Sequence, residues 1–182
     1  QRLGGFPRGS LHRGDPRIHV NVLAVGVSEH GSDHDCIVAT RYVCRVTTVL
    51  LLRHGRTTAN AEGILAGWTP GVALDDVGRD QAVAGAERLK EVRFNAIVTS
   101  PLERCRQTAE IVAEPRRTDM PIHTEGDLAE ARYGDWTGRP LAGLAKDPLW
   151  EAVQHHPSSV TFPGGEAMAT VQARSIAAVR RW

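Results

Sequence analysis

Four consecutive aliphatic residues, Val49 to Leu52, run directly into Arg53-His54-Gly55, and this juncture constrains the fold more than any other stretch of the chain. An unbroken apolar run of that length suits a strand buried on both faces, as in the interior of a parallel sheet. The polar triplet then falls at the carboxyl end of the strand, where open α/β sheets present side chains to a crevice. An imidazole placed there can attack phosphorus if its other ring nitrogen is held by a hydrogen bond, and a neighbouring guanidinium can bind the phosphoryl oxygens. Gly55 lets the backbone approach an anion closely. By itself the triplet is weak evidence, because a histidine beside an arginine is more often an ordinary surface or core residue.

Downstream, strand and helix signals alternate. Asp75 or Asp76 caps a helix that places Ala82, Ala86 and Leu89 on one side, and Phe94 to Thr99 reads as a second strand, which together suggest a βαβ unit. Ser100 is read as the N-cap of the next helix, with Pro101 at N1 and Glu103 completing a capping box; that helix continues through Thr108, Ile111 and Val112 and stops near Pro115. Gly134 to Pro140 is loop-like, a helical stretch carries Leu141, Leu144 and Trp150, and a last helix follows Gly164-Gly165 and runs to Trp182. The alternation predicts an α/β fold with a mainly parallel sheet.

Residues 1–45 have no helical or strand periodicity until Ile37 and hold half of the eight histidines, so they read as a poorly ordered appendage to a domain over 46–182. A metal site drawn from His30, Asp33, His34 and Asp35 has no helix or strand to set its geometry, and no metal is expected there. An alternative is that the natural chain begins at Val46. Cys36, Cys44 and Cys105 lack the spacing of a disulfide framework or zinc knuckle, which makes reduced cytosolic thiols the default. No apolar run approaches the roughly 18 residues that span a bilayer, and His19 to Val27 is broken by Asn21; neither signal peptide nor anchor is read, and the expected location is cytoplasmic. A net charge of +1 argues against nucleic acid as the main partner.

Two further segments bear on the chemistry of His54. Arg104 sits in the first turn of the capped helix, where it can reach the same crevice beside the helix's partial positive charge. Leu128 to Trp136 supplies a carboxyl group in an aromatic, glycine-bearing loop: a partly buried Glu130 with a raised pKa is able to protonate a leaving oxygen, and Asp135 is the competing candidate.

Taken together, Leu51 to Asn60, Ser100-Pro101-Leu102-Glu103-Arg104 and Glu130 to Gly138 resemble the histidine phosphatase superfamily, the phosphoglycerate-mutase-like proteins, in order and spacing over roughly residues 47–170. The resemblance implies a three-layer α/β sandwich with a mainly parallel central sheet. It implies that His54 becomes phosphorylated, that Arg53 and Arg104 clamp the phosphate with Asn60 and Gly67 contributing to its pocket, and that Glu130 is the proton donor. No metal or organic cofactor is implied, and the partner is a small phosphorylated substrate.

The family's second pocket histidine, usually in a His-Gly pair after a late strand, has no counterpart here. After His54 there remain only His123, His155 and His156. The expectation is therefore a domain lacking its last strand or strands, of low stability and with weak or no turnover. Arg56 stands where the family commonly has glutamate, and Ala167 where serine is usual. Because Gly138 to Pro163 is short and carries no arginine-rich insert, hydrolysis of a small phosphomonoester is favoured over mutase chemistry. The contrasting reading is an inactive phosphate-binding or scaffold protein.

Overall fold

The computed structural model describes residues 48–116 and 120–182. The expected appendage over 1–45 and the His30–Asp35 cluster lie outside these residues. The described chain is an α/β fold. Its helices are α1 (Thr58–Ala61), α2 (Asp76–Leu89), α3 (Glu103–Ala113), α4 (Leu141–Leu144), α5 (Leu149–His155) and α6 (Met168–Arg181), and its strands are β1 (Ile97–Thr99) and β2 (Ile122–Thr124).

The two strands pair in parallel, Ile97 opposite Ile122 and Thr99 opposite Thr124, with α3 as the crossover. This is the chain's βαβ unit, and it differs from the expected one in two ways. The Val49–Leu52 run joins no ladder among the described residues. Leu51 is 64% exposed, so the run is not a strand covered on both faces. Its apolar character serves packing instead: Val49 lies against Val98 and Ala178, and Leu52 against Leu102 and Cys105. β2 was not read from the sequence at all, because Ile122-His123-Thr124 alternates intermediate and exposed residues and carries little apolar signal.

β1 is buried at all three positions, and its alternating side chains serve two faces. Ile97 packs with Ala109 of α3, while Val98 packs with Leu128 and Ala178 of α6, so helices cover the strand from both sides. The largest cluster lies beyond the strands, where Tyr133, Trp136 and Phe162 meet Leu144, Val153 and Val171. Phe162 stands edge-on to Tyr133 at 4.9 Å and to Trp136 at 5.5 Å between centroids, the arrangement favoured by the ring quadrupoles.

Helix boundaries follow local chemistry. α2 is capped by Asp75, whose carboxylate accepts from Gly78 N–H, and it buries Ala82 and Ala86. The capping box expected at Ser100 is not formed: α3 begins at Glu103 with Leu102 at the N-cap and no side-chain cap. The Ser100 hydroxyl is buried at the strand end and accepts from Leu102 N–H at 3.4 Å, while the Glu103 carboxylate is taken up by the Gln107 amide one turn on.

Two glycines bring the segment after His54 onto the first turn of α2. A Cβ on Gly55 would lie 2.1 Å from the Gly78 carbonyl oxygen, and one on Gly78 would lie 1.9 Å from that of Arg56. Asp75 N–H donates to the Arg56 carbonyl at 3.1 Å across the same contact. Alanine at Gly78 would gain about 1 kcal/mol of helix propensity, but here it meets backbone that has nowhere to go. Gly78→Ala is therefore expected to lower unfolding free energy by about 1–3 kcal/mol, in the range of overpacking. Urea denaturation checks this, and a stabilised variant would contradict the close approach.

Candidate active site

Residues from four separated segments surround one cavity of about 320 Å³: Arg53, His54 and Asn60, Gly67 in the following loop, Arg104 on α3, and Glu130. Apolar wall is added by Ile64, Leu65 and Leu141. Asp135, the competing carboxyl, does not line this cavity; it is exposed and packs against Gly164. Nor do the other described histidines. His123 packs against Trp182 with tilted rings, centroids 4.7 Å apart, and His155 and His156 are exposed at the end of α5.

His54 is 7% exposed, and its ring is oriented at both nitrogens. Nδ1 lies 2.6 Å from the Gly55 carbonyl oxygen, which can only accept, so this nitrogen carries the proton. Nε2 then has a lone pair, and it accepts from Arg104 Nε at 3.3 Å. Gly55 N–H in turn donates to the Thr108 hydroxyl at 3.2 Å, and Thr108 donates to the Arg104 carbonyl at 2.8 Å, which ties the histidine segment to α3.

Arg104 is 3% exposed and is held by a second contact, from a terminal nitrogen to the Gly67 carbonyl at 3.0 Å. Gly67 has a φ of +51°, a conformation in which glycine is unstrained, and there its carbonyl faces the guanidinium. The same Arg104 nitrogen lies 3.9 Å from Glu130 Oε2. Arg53 is exposed at the cavity wall, unlike Arg104. Asn60 has its side-chain oxygen committed to the Thr57 N–H in the capping box of α1. Arg56 is drawn away to Asp75, 2.7 Å from Nε to Oδ2.

Glu130 is 3% exposed, and its Oε1 accepts from Ala131 N–H at 3.1 Å and from the Tyr133 hydroxyl at 3.0 Å. Burial, reinforced by the charge of Glu130, raises Tyr133 well above the ordinary phenol range, so it stays a donor. Sequence reading passed over Tyr133, although a buried tyrosine needs a hydroxyl partner and Glu130 is three residues away. Sequence reading placed Trp68 beside Gly67 and Arg132 beside Glu130 but gave neither a role; the Trp68 indole N–H donates to the Glu130 carbonyl at 2.6 Å, and the Arg132 guanidinium stacks 4.0 Å over the Trp68 ring. The ion pair of Arg174 with Glu166 was missed as well, since its members lie far from Glu130 in sequence. Cys105 is buried, and burial pushes its thiol up to about 11, which leaves it unreactive.

Among the described residues, no three His, Cys, Asp or Glu side chains gather to hold a metal ion. The geometry offers an unprotonated imidazole nitrogen, a guanidinium beside it and a carboxyl across the cavity, a set suited to moving a phosphoryl group.

Comparison with known proteins agrees. The sequence model of the histidine phosphatase superfamily, branch 1, matches residues 49–182. The chain is 38% identical over 127 residues to the fructose-2,6-bisphosphatase TIGAR of Xenopus tropicalis, covering 69% of this chain and 46% of that protein. It is 34% identical over 138 residues to the 2,3-bisphosphoglycerate-dependent phosphoglycerate mutase of Bartonella henselae, covering 70% and 64%. Among solved structures, YhfR of Bacillus stearothermophilus superposes with a TM-score of 0.65 at 33% identity, over 71% of this chain and 63% of that one. A mycobacterial glucosyl-3-phosphoglycerate phosphatase gives 0.62 at 30% identity, over 70% and 59%. The chain spans about half the length of the TIGAR relatives it matches.

Burial alone would raise the Glu166 carboxyl, but hydrogen bonds from Arg174 and from Arg132 N–H, with the charges of both arginines, outweigh it and hold the group below the ordinary glutamate value. A carboxyl depressed in the folded state stabilises above its unfolded pKa, and that contribution disappears as pH falls through the folded value. Glu166→Gln should therefore be less stable than the parent at neutral pH and converge on it as pH falls from about 5 toward 3. Parallel curves in pH-dependent thermal denaturation would rule the linkage out.

Proposed function

Because the chain belongs to branch 1 of the histidine phosphatase superfamily, we propose that it is a phosphomonoester hydrolase acting through a phosphohistidine on a small phosphorylated metabolite. One observation carries the reading: the Gly55 carbonyl, 2.6 Å from Nδ1, keeps the proton there and leaves Nε2 of His54 as a nucleophile beside Arg104. In the first step Nε2 attacks phosphorus and the ester P–O bond breaks. The leaving oxygen takes a proton from the carboxylic acid of Glu130, while Arg104 and Arg53 stabilise charge on the phosphoryl oxygens. In the second step water attacks the phosphohistidine, Glu130 takes its proton, phosphate departs and His54 is restored. Asn60 and the Gly67 loop complete the pocket wall. No metal or organic cofactor enters either step.

Oε1 of Glu130 accepts from Ala131 N–H and Tyr133, while Oε2 lies on the Arg104 side of the carboxyl, 3.9 Å from the guanidinium. Mutase chemistry is the second reading, prompted by the likeness to the Bartonella enzyme. It is less favoured because the stretch from Gly138 to Pro163 contributes Leu141 but no cation to the cavity, and Arg56 is committed to Asp75. A cytoplasmic location is proposed on the cysteine usage read above; separately, no described helix is long and apolar enough to cross a membrane.

Hydrolysis of p-nitrophenyl phosphate should persist in excess EDTA and vanish in His54→Ala. Arg104→Ala should lower kcat/KM by roughly 10²- to 10³-fold, the scale of losing one charge-stabilising donor. Activity that survives in His54→Ala would refute the nucleophile, and activity lost to EDTA would refute metal independence. With 3-phosphoglycerate the expected product is inorganic phosphate. Isomerisation without phosphate release would move the assignment to mutase, and tight vanadate binding with no turnover of any ester would move it to a phosphate-binding protein.

A further inference from the structure

We infer that Arg174 and Glu166 form a positioning device for the Glu130 carboxyl, an inference that rests on the proton-donor role proposed above. Neither residue lines the cavity. Arg174 lies on α6, and all five of its guanidinium N–H bonds find acceptors. Nε donates to Glu166 Oε1 at 3.1 Å. One terminal nitrogen donates to the carbonyls of Asp127 at 2.7 Å and Ala129 at 2.8 Å. The other donates to the carbonyl of Glu130 at 3.1 Å and to Glu166 Oε2 at 3.0 Å.

Three carbonyls within four residues therefore converge on one rigid plane, the last belonging to Glu130 itself. Glu166 closes the frame from the other side. Its Oε2 accepts from Arg132 N–H at 2.8 Å, and its own N–H donates to the Arg132 carbonyl at 2.8 Å. The Glu130 carbonyl also accepts from Trp68, so both its lone pairs are engaged, one toward α6 and one toward the loop that carries Gly67.

With the backbone at 127–132 immobilised, the Cα–Cβ direction of Glu130 is set, and with it the side-chain geometry in which Oε1 meets Ala131 N–H and Tyr133 while Oε2 turns toward Arg104. The anchor is itself firm, since Val171 and Ala178 of α6 are buried in two different apolar clusters. Lysine at 174 would keep the charge but has three donors on one point, and it cannot reproduce a planar five-donor fork.

The test separates positioning from mere structural support by the leaving group. p-Nitrophenolate departs without protonation, whereas the alkoxide from glycerol 2-phosphate needs the proton. In Arg174→Lys, kcat/KM for glycerol 2-phosphate should fall about 10- to 100-fold, as expected for a displaced catalytic group, and kcat/KM for p-nitrophenyl phosphate less than about threefold; kcat/KM reports only the steps up to the phosphohistidine, whereas the later hydrolysis assisted by Glu130 is common to both substrates. Equal losses of kcat/KM on both substrates would overturn the inference, because a loss independent of the leaving group reports a smaller folded fraction and not a misplaced proton donor.

Glu130→Gln is the control. If it fails to discriminate between the substrates, the proton-donor reading falls, and the positioning inference falls with it. If it discriminates and Arg174→Lys does not, the positioning inference falls alone. Amide hydrogen exchange provides the readout where turnover is too slow to measure. Ala131 N–H, bonded to Glu130 Oε1, should exchange about tenfold faster in Arg174→Lys while the amides of α3 are unaffected. Unchanged protection at Ala131 would overturn the inference.

Discussion

The hydrogen bond between Arg104 and His54 joins the two halves of the site, and much of the surrounding structure exists to hold its ends. One end is the segment after the aliphatic run, pressed onto α2 where Gly55 and Gly78 allow backbones to touch. The other end is the first turn of α3, tied back through Thr108 to Gly55. Arg104 and His54 are both nearly buried, so the interaction works in a medium where water does not compete strongly. A guanidinium has donors only, so this contact requires the lone pair of the imidazole nitrogen it meets. The same contact that orients the ring thus uses its lone pair.

Glu130 is held on a different principle. Its segment, 127–132, has almost no regular structure of its own beyond a single 3-10 turn over Gly126–Leu128. Its backbone groups are satisfied by side chains from elsewhere: Arg174 for the carbonyls, Glu166 for the Arg132 N–H, and Trp68 from the opposite direction. A buried loop of this kind is stable only when such partners are complete. On the C-terminal side of this loop the chain is anchored by the aromatic cluster of Tyr133, Trp136 and Phe162, so that Tyr133 belongs to the core by its ring and to the site by its hydroxyl.

How much was legible in the sequence depended on the range of the interaction. Asp75 at the cap of α2 and the buried pair Ala82 and Ala86 were readable, because capping and helical periodicity involve residues a few positions apart. Ser100 misled for the same reason in reverse. Its motif is that of a capping box, yet the residue is buried immediately after β1, and the helix starts at Glu103. The aliphatic run Val49 to Leu52 suggested a strand buried on both faces, yet none of its residues is fully buried: Val49 and Leu52 pack in part against two apolar clusters and Leu51 is exposed. β2 went unseen because its pairing with β1 depends on a partner about 25 residues away and not on its own composition.

By itself the sequence determined the chemical inventory and its order: a histidine between arginines after an apolar run, an arginine early in a helix, and a glutamate in a glycine- and aromatic-bearing loop. Motif spacing carries that information because each piece is local. Tertiary structure decided everything that depends on distance between pieces. It chose which nitrogen of His54 keeps the proton, brought Glu130 and not Asp135 to the cavity, drew Arg56 aside to Asp75, and placed Arg174 behind the Glu130 peptide. The reason is physical: hydrogen bonds act over about 3 Å, and only the folded backbone brings groups separated by 44 residues or more within that reach.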